Sequence, residues 1–254
     1  MSDQLQNDHS PGVIRRLIYI IGDSIGRGVF QDTQTKRYRI RQEALIDAES
    51  LGAKVEIVNR SHFGYTIARG RQQIEKLLAR GERPAQMLLE YGGNDCDFDW
   101  AAIAADPTAQ HLPNTPLNSF QQQYAQLIDR LRQVGIQPII LNLPPIDAQR
   151  YFRTIVGRGH DGAAIRAWLG DIARIYRFQE LYSNAVERIS RAFQVPLVDV
   201  RQDFLAAADF PDLIGEDGIH PTERGYRMMG ERVCSFLREL LETGSDDPLF
   251  QPLA

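Results

Sequence analysis

The sequence predicts an α/β domain built on a doubly wound parallel sheet, and three observations carry that expectation. Short aliphatic or β-branched runs alternate with amphipathic stretches of about four turns, the signature of successive βαβ units. The runs are apolar along their whole length, which suits strands covered by helices on both faces. Three stretches read as helical end on a glycine just before the next run, at Gly52, Gly81 and Gly135, where a left-handed C-terminal cap belongs.

In chain order the strands are expected at residues 17–21, 55–58, 87–91, 136–143 and 197–200. Between them, Phe120, Tyr124, Leu127, Ile128, Leu131 and Val134 mark one face of a 3.6-period helix. Phe178, Leu181, Tyr182, Ala185, Ile189 and Phe193 mark another, and Tyr226, Met229, Val233, Phe236, Leu237 and Leu240 a third, with Thr222 placed to cap it. Two stretches break the repeat. Residues 96–118 contain Pro107, Pro113 and Pro116 and read as a loop with at most a short helix near Ala101. Residues 144–162 mix prolines, glycines, Tyr151 and Phe152. Both follow the C-terminal ends of strands, where open α/β sheets bind their ligands.

At about 150 residues per domain, the 254 residues suit a single domain, expected over 13–243 between a flexible tail at 1–12 and an extension at 244–254. The extension suits a surface or an oligomer contact, so a homo-oligomer stays open. Hydrophobic residues at 43% and charged residues at 24% exclude a disordered chain. The net charge of −4 argues against nucleic-acid phosphates and against an anionic membrane surface as partners. The longest apolar run is far shorter than the roughly 18 residues of a membrane span. Asp3 and Asp8 stand where a secretory leader needs positive and then apolar residues, so the expected location is cytoplasmic. Cys96 and Cys234 are too far apart for a metal-ligand spacing and read as two reduced thiols, at least one of them buried.

Four blocks carry chemistry. Gly22-Asp23-Ser24-Ile25-Gly26 puts a serine hydroxyl at the turn after the first strand, formally matching both a nucleophile elbow and, with Gly28, a loose phosphate loop lacking a Walker lysine. Alone it is as well read as a tight turn. A nucleophilic serine needs a base and a group that orients the base. Of the five histidines, His9, His62, His111 and His160 have ordinary tail, packing or loop readings. His220 differs, because Asp217-Gly218-Ile219-His220-Pro221 sets a carboxylate three residues before an imidazole in one turn. Asn59-Arg60-Ser61-His62-Phe63-Gly64 and Gly92-Gly93-Asn94-Asp95 follow the second and third strands. There small residues expose backbone N–H groups, and Asn94 adds an amide donor, as a developing oxyanion requires. Turn chemistry accounts for the same residues.

In this order and at these strand ends, the four blocks resemble the SGNH hydrolase family, the GDSL esterases and lipases. Gly22-Asp23-Ser24 resembles its first block, with Ile25 where the naming motif has leucine, and Gly64 resembles the glycine of the second. Gly93-Asn94-Asp95 resembles the third and Asp217-x-x-His220-Pro221 the last, so the likeness runs from residue 22 to residue 221. The resemblance implies a three-layer α/β/α fold with a flavodoxin-like five-stranded parallel sheet. It implies a serine acylhydrolase with catalytic Ser24, Asp217 and His220, an oxyanion hole of Ser24, Gly64 and Asn94, and Asp23 and Asp95 as supports of the two turns.

No cofactor is expected. Asp95, Asp97 and Asp99 alternate like a calcium loop, but Trp100 stands where glycine is needed and no glutamate closes it, so no metal is expected either. The expected substrate is a small soluble ester with a short acyl or acetyl group, such as a carbohydrate ester. Thioesters and lysophospholipids stay open within the family, and a non-catalytic module holding phosphate or flavin stays open outside it. Tyr151, Phe152 and Trp168 suit either an acyl or sugar pocket or packing under the long connection.

Overall fold

The computed structural model describes residues 16–243 except 33, 42, 47–50 and 53–54. The expected tail at 1–12, with His9, and the extension at 244–254 therefore lie outside the described residues. In chain order the elements are β1 (Arg16–Gly22), β2 (Val29–Gln31), β3 (Tyr38–Ile40), β4 (Val55–Asn59), α1 (Ile67–Ala79), β5 (Gln86–Glu90), α2 (Trp100–Ala105) and α3 (Leu117–Gln133). There follow β6 (Gln137–Leu141), α4 (Ala148–Gly157), α5 (Gly162–Leu169), α6 (Ala173–Phe193), β7 (Leu197–Val198), α7 (Arg201–Ala206), α8 (Phe210–Leu213) and α9 (Glu223–Thr243).

Five strands form one parallel sheet in the order β4-β1-β5-β6-β7. Alternate strand residues feed opposite faces, as the period of two requires. Tyr19, Ile21, Met87, Leu89 and Ile140 pack with α1, α3 and α6. Ile18, Ile20, Leu88, Ile139 and Leu141 pack with Tyr226, Met229, Val233 and Leu237 of α9 and with Phe204 of α7. This is the three-layer α/β/α arrangement that the sequence predicts, and burying each large aliphatic side chain contributes about 1.5–3 kcal/mol.

A third cluster sits over the ligand edge of the sheet. Phe98, Trp100, Ile103, Tyr151, Phe152, Ile155, Ile165, Leu169, Ile172 and Ile175 join α2, α4, α5 and the start of α6. Residues 144–162, unassigned in the sequence reading, are thus largely helical: Asp147 accepts from Gln149 N and Arg150 N to start α4, and Asp161 accepts from Ala163 N and Ala164 N to start α5. The short helix near Ala101 is α2, while Asn118 belongs to α3 rather than to the loop before it.

The helix expected to end at Gly52 is corrected over its described part. There the chain forms an antiparallel ribbon, with Val29 opposite Ile40, Phe30 opposite Arg39 and Gln31 opposite Tyr38. Val29, Phe30, Tyr38 and Ile40 are β-branched or aromatic residues that a strand favours, and of these Val29 and Phe30 are buried, Phe30 in one cluster with Ile25 and Leu45.

Candidate active site

Ser24 lies two residues beyond the end of β1, in a turn closed by Arg27 N donating to Asp23 O and Val29 N donating to Ser24 O. Tyr226 of α9 fastens the turn from below, its hydroxyl donating to Ile25 O at 3.2 Å and Val29 O at 2.9 Å. Asp23 Oδ1 accepts from Ile25 N at 2.8 Å. Beneath them, Glu90 at the end of β5 is fully buried, and its Oε2 accepts from Gly26 N at 3.0 Å and Asp23 N at 3.3 Å. A Cβ on Gly22 would lie 2.9 Å from the same Oε2 and one on Gly26 3.3 Å from it, so the two glycines make room for a carboxyl group. The N–H groups that a phosphate loop would aim at its ligand are turned onto Glu90.

Burial drives both carboxyls above their ordinary values, Glu90 further because the Asp23 charge lies beside it. The rise favours the neutral form of Glu90, the more strongly raised of the two. Its Oε1 is buried with no hydrogen-bond partner among the described residues, and Glu90 is among the residues lining the cleft.

The loop before α9 brings His220 to the serine. His220 Nε2 lies 2.9 Å from Ser24 Oγ, and His220 Nδ1 lies 2.7 Å from Asp217 Oδ2. Asp217 Oδ1 accepts from Ile219 N and His220 N, each at 3.0 Å, which fixes the carboxylate inside its own turn. Burial pushes the Asp217 carboxyl up, but the hydrogen bond and charge of His220 and the two N–H donors outweigh it and leave the group below its ordinary value. Gly218 has φ +82°, and a Cβ there would lie 2.3 Å from Tyr151 N, so only glycine lets the loop rest on α4. Gly218 O accepts from Asp147 N at 2.8 Å, completing that seat.

The ribbon covers the imidazole. Tyr38 meets His220 edge-on at 5.6 Å between ring centroids, and Lys36 pairs with Glu216 of the histidine loop. Burial, with the Asp217 charge nearby, raises the Tyr38 hydroxyl to about 12.

On the other side of Ser24 stand the two expected donor turns. His62 N donates to Gly22 O at 3.0 Å, which draws the loop containing Gly64 against the serine turn. Among the described residues, neither Ser24 N nor Gly64 N donates to a protein group. Asn94 Nδ2 donates to Asp23 Oδ2 at 2.7 Å and reaches Tyr65 O at 3.4 Å. Asp95 is fully buried and accepts from Ile67 N with both oxygens at 3.1 Å, so it caps α1 from 28 residues away. Burial raises its carboxyl to about 7.

Of the other two aspartates of that alternating run, Asp97 accepts from Tyr151 OH at 2.6 Å and Trp100 Nε1 at 2.8 Å, and Asp99 accepts from Ala102 N at 3.0 Å to cap α2. His62 stacks on Tyr65, and His111 meets Asp106 O. Both cysteines are buried, and neither is in a disulfide among the described residues.

Beside Ser24 and His220 opens a cleft with about 690 Å³ of free space including its mouth, walled by Phe98, Trp100, Leu143, Ile146, Tyr151, Ile175, Phe178 and Ile219. Of the three aromatics singled out in the sequence, Tyr151 lines it. Trp168 packs behind Phe98 and Phe178, and Phe152 is buried within the third cluster. The sequence reading missed Glu90, Tyr38, Phe98 and Phe178. Glu90 left one sign: a charged residue ending the otherwise uncharged run Gln86–Glu90 just before Gly92-Gly93-Asn94-Asp95.

The chain has relatives among known proteins. The GDSL-like lipase/acylhydrolase family matches residues 20–228. The GDSL esterase/lipase WDL1 of Oryza sativa subsp. japonica is 22% identical over 196 residues, covering 76% of this chain and 69% of that protein. The lipase/acylhydrolase from Enterococcus faecalis superposes with a TM-score of 0.62 at 16% identity over 88% of this chain and 96% of its own. Axe2, an acetylxylan esterase from Geobacillus stearothermophilus, superposes at 0.59 with 17% identity over 89% and 94%. The chain belongs to the GDSL-like lipase/acylhydrolase family and is a carboxylic ester hydrolase.

Proposed function

We propose that the chain cleaves a small ester by a serine nucleophile, with the acyl group held in the apolar cleft. The observation that carries this reading is the continuous contact from Ser24 Oγ to His220 Nε2 at 2.9 Å and from His220 Nδ1 to Asp217 Oδ2 at 2.7 Å. With Nδ1–H donating a hydrogen bond to the Asp217 carboxylate, Nε2 is the free lone pair and accepts the serine proton as Oγ bonds to the substrate carbonyl carbon. The imidazolium returns that proton to the departing alcohol. Water, deprotonated by the same nitrogen, then releases the acid and restores Ser24.

The free N–H groups of Ser24 and Gly64 serve the tetrahedral oxyanion. Asn94 joins them by exchanging its long contact with Tyr65 O for the substrate oxygen, while its short bond to Asp23 keeps the amide aimed. Asp23 and Asp95 hold the turns and do not touch substrate. The walls of Phe98, Trp100, Tyr151, Ile175 and Phe178 suit a short hydrocarbon acyl group, and a polar alcohol is left toward the open mouth.

A fluorophosphonate tests the reading. Wild type should be labelled once and lose ester hydrolysis, whereas Ser24→Ala should resist labelling and fall by at least about 10⁴-fold in kcat at unchanged Tm. Full turnover by folded Ser24→Ala would sink the nucleophile assignment. A chain-length series of 4-nitrophenyl esters reads the cleft: kcat/KM should rise from acetyl as the chain fills it and fall once the chain outgrows it. A phosphate- or flavin-holding module would show no labelling in any variant.

A further inference from the structure

A second, polar groove lies along α1 and the loop before it and shares no lining residue with the apolar cleft. Its walls include Arg60, His62, Tyr65, Arg69, Lys76 and Arg80, with about 1020 Å³ of free space and no carboxylate among its lining residues. Over residues 60–80 the chain places five Lys and Arg against the single carboxylate Glu75, in a protein of net charge −4. Glu75 is turned away and paired with Arg130, and Arg60 is paired with Glu82. Arg69, Lys76 and Arg80 are exposed and meet no carboxylate within 4.0 Å among the described residues.

Three unpaired cations at intervals of seven and four residues follow one another along a single exposed helix face. Solvated charged faces of helices ordinarily alternate signs, and here one sign is missing. At 1.5 Å per residue the row extends roughly 16 Å along α1.

Two of the groove's lining residues, His62 and Tyr65, belong to the turn that carries Gly64. His62 N donates to Gly22 O beside the serine turn, and Tyr65 O accepts from Asn94. The acyl cleft is walled by a separate set, residues 93–100, 143–151, 175–179 and 219–220. In the hydrolase reading, with the carbonyl at Ser24 and the acyl group in the cleft, a leaving group that runs from the cleft mouth over the Gly64 turn meets the groove at His62 and Tyr65, with Arg69 the nearest of the three cations along the chain and Arg80 the farthest.

We propose that this groove binds a phosphate group carried on the leaving-group side of the substrate. The inference rests on the hydrolase reading above for the direction of the leaving group. Arg69, at the first turn of α1, takes a phosphate close to the ester, while Lys76 and Arg80 take one borne on a longer arm. Guanidinium groups suit this ligand because their paired N–H groups match two phosphate oxygens. The chain's overall negative charge and the shortness of the row favour a small phosphorylated molecule over a nucleic acid, which needs a wider basic footprint.

The test compares 1-hexanoylglycerol with 1-hexanoylglycerol 3-phosphate, which share one ester and differ only in the phosphate. Hexanoyl-coenzyme A serves as the long-armed phosphate carrier. Wild type should prefer at least one phosphorylated substrate over the neutral ester by at least about tenfold in kcat/KM at low salt, and should lose most of that preference at 0.5 M salt. The variant Arg69→Gln, Lys76→Gln, Arg80→Gln should bring the ratio to about one, while Arg238→Gln, an exposed cation on α9, should keep it. Preference for the glycerol phosphate alone assigns the near site, and preference for the coenzyme A ester assigns the far one. A wild-type ratio near one, or a ratio untouched by the triple variant, overturns the proposal while leaving the hydrolase intact. If wild type turns over none of the esters, it is the hydrolase reading that fails. Calorimetry of coenzyme A and of pyrophosphate on the Ser24→Ala chain then decides the groove: binding abolished by the triple variant supports it, and no binding overturns it. Tighter binding of a single-stranded oligonucleotide than of either probe also overturns it.

Discussion

Glu90 sets the geometry of the nucleophile without reaching it. Held toward its neutral form by burial, it accepts two backbone N–H groups of the serine turn, 64 and 67 residues away in sequence. Glu90→Gln is isosteric with that form and should keep stability and most of kcat. Glu90→Leu should leave the N–H groups of Asp23 and Gly26 unpaired in the interior, cost about 2–5 kcal/mol in urea unfolding, and slow fluorophosphonate labelling of Ser24. Equal loss in both variants would remove the argument for a neutral acid. Asn94 is testable in the same way. Asn94→Ala should lower kcat by about 10²–10³ with KM little changed. Asn94→Asp should be at least as harmful, because it sets a carboxylate against Asp23 Oδ2 where an N–H now donates. A merely conformational role reverses that order. At this scale the sequence was legible where chemistry is local: Asp217 and His220 share one turn, and Ser24 stands beside the glycines that expose it. Glu90 and Tyr38 were not, because their partners are set by strand pairing and by the ribbon, and no short spacing encodes either.

The histidine loop depends on a helix that the sequence left unassigned. Gly218 sits against the first turn of α4, between Tyr151 N and Asp147 O, so α4 fixes the height at which His220 meets Ser24. Gly218→Ala should therefore lower Tm by several degrees and reduce kcat more than KM, since a displaced base harms proton transfer before it harms binding. Thermal melts and steady-state kinetics on one preparation check both limbs, and loss of stability with kcat intact would uncouple α4 from the site. The regular elements were readable because their apolar residues repeat at 3.6 or lie in continuous runs: β1, β4, β5, β6, α3, α6 and α9 stand where those patterns placed them. The ribbon was not, being short and fixed by what it covers, and α4 was not because its apolar face, Tyr151, Phe152 and Ile155, is confined to ten residues between prolines and glycines that read as a connection. Phe98 and Phe178 likewise become cleft walls only when α2 and α6 meet over the sheet edge.

Across the whole molecule, two carboxyls pull stability in opposite directions with pH. Asp95 has its folded value raised to about 7 by burial, against about 3.9 when unfolded. Its contribution is therefore fully present below about pH 4 and lost as pH rises through about 7. Asp217 is lowered in the folded chain, so its contribution is present above about pH 4 and lost as pH falls through the folded value. Urea unfolding of Asp95→Asn, which mimics the neutral acid, should show an advantage over wild type that grows between about pH 4 and 7, on the order of 3 kcal/mol or less. A pH-independent difference would mean that Asp95 is ionised throughout. The contact between Ser24 and His220 spans 196 residues of chain. Ribosomes add about 5–20 residues per second, so the nucleophile precedes its base by roughly 10 to 40 s of synthesis. The half of the sheet that carries Ser24 emerges first, and every strand has been made before Asp217 arrives. With the roles proposed here, a nascent chain that has not yet reached His220 cannot cleave an ester, and neither can any fragment that stops short of the loop that carries it. Synthesis of that loop is in effect the activating event of this enzyme.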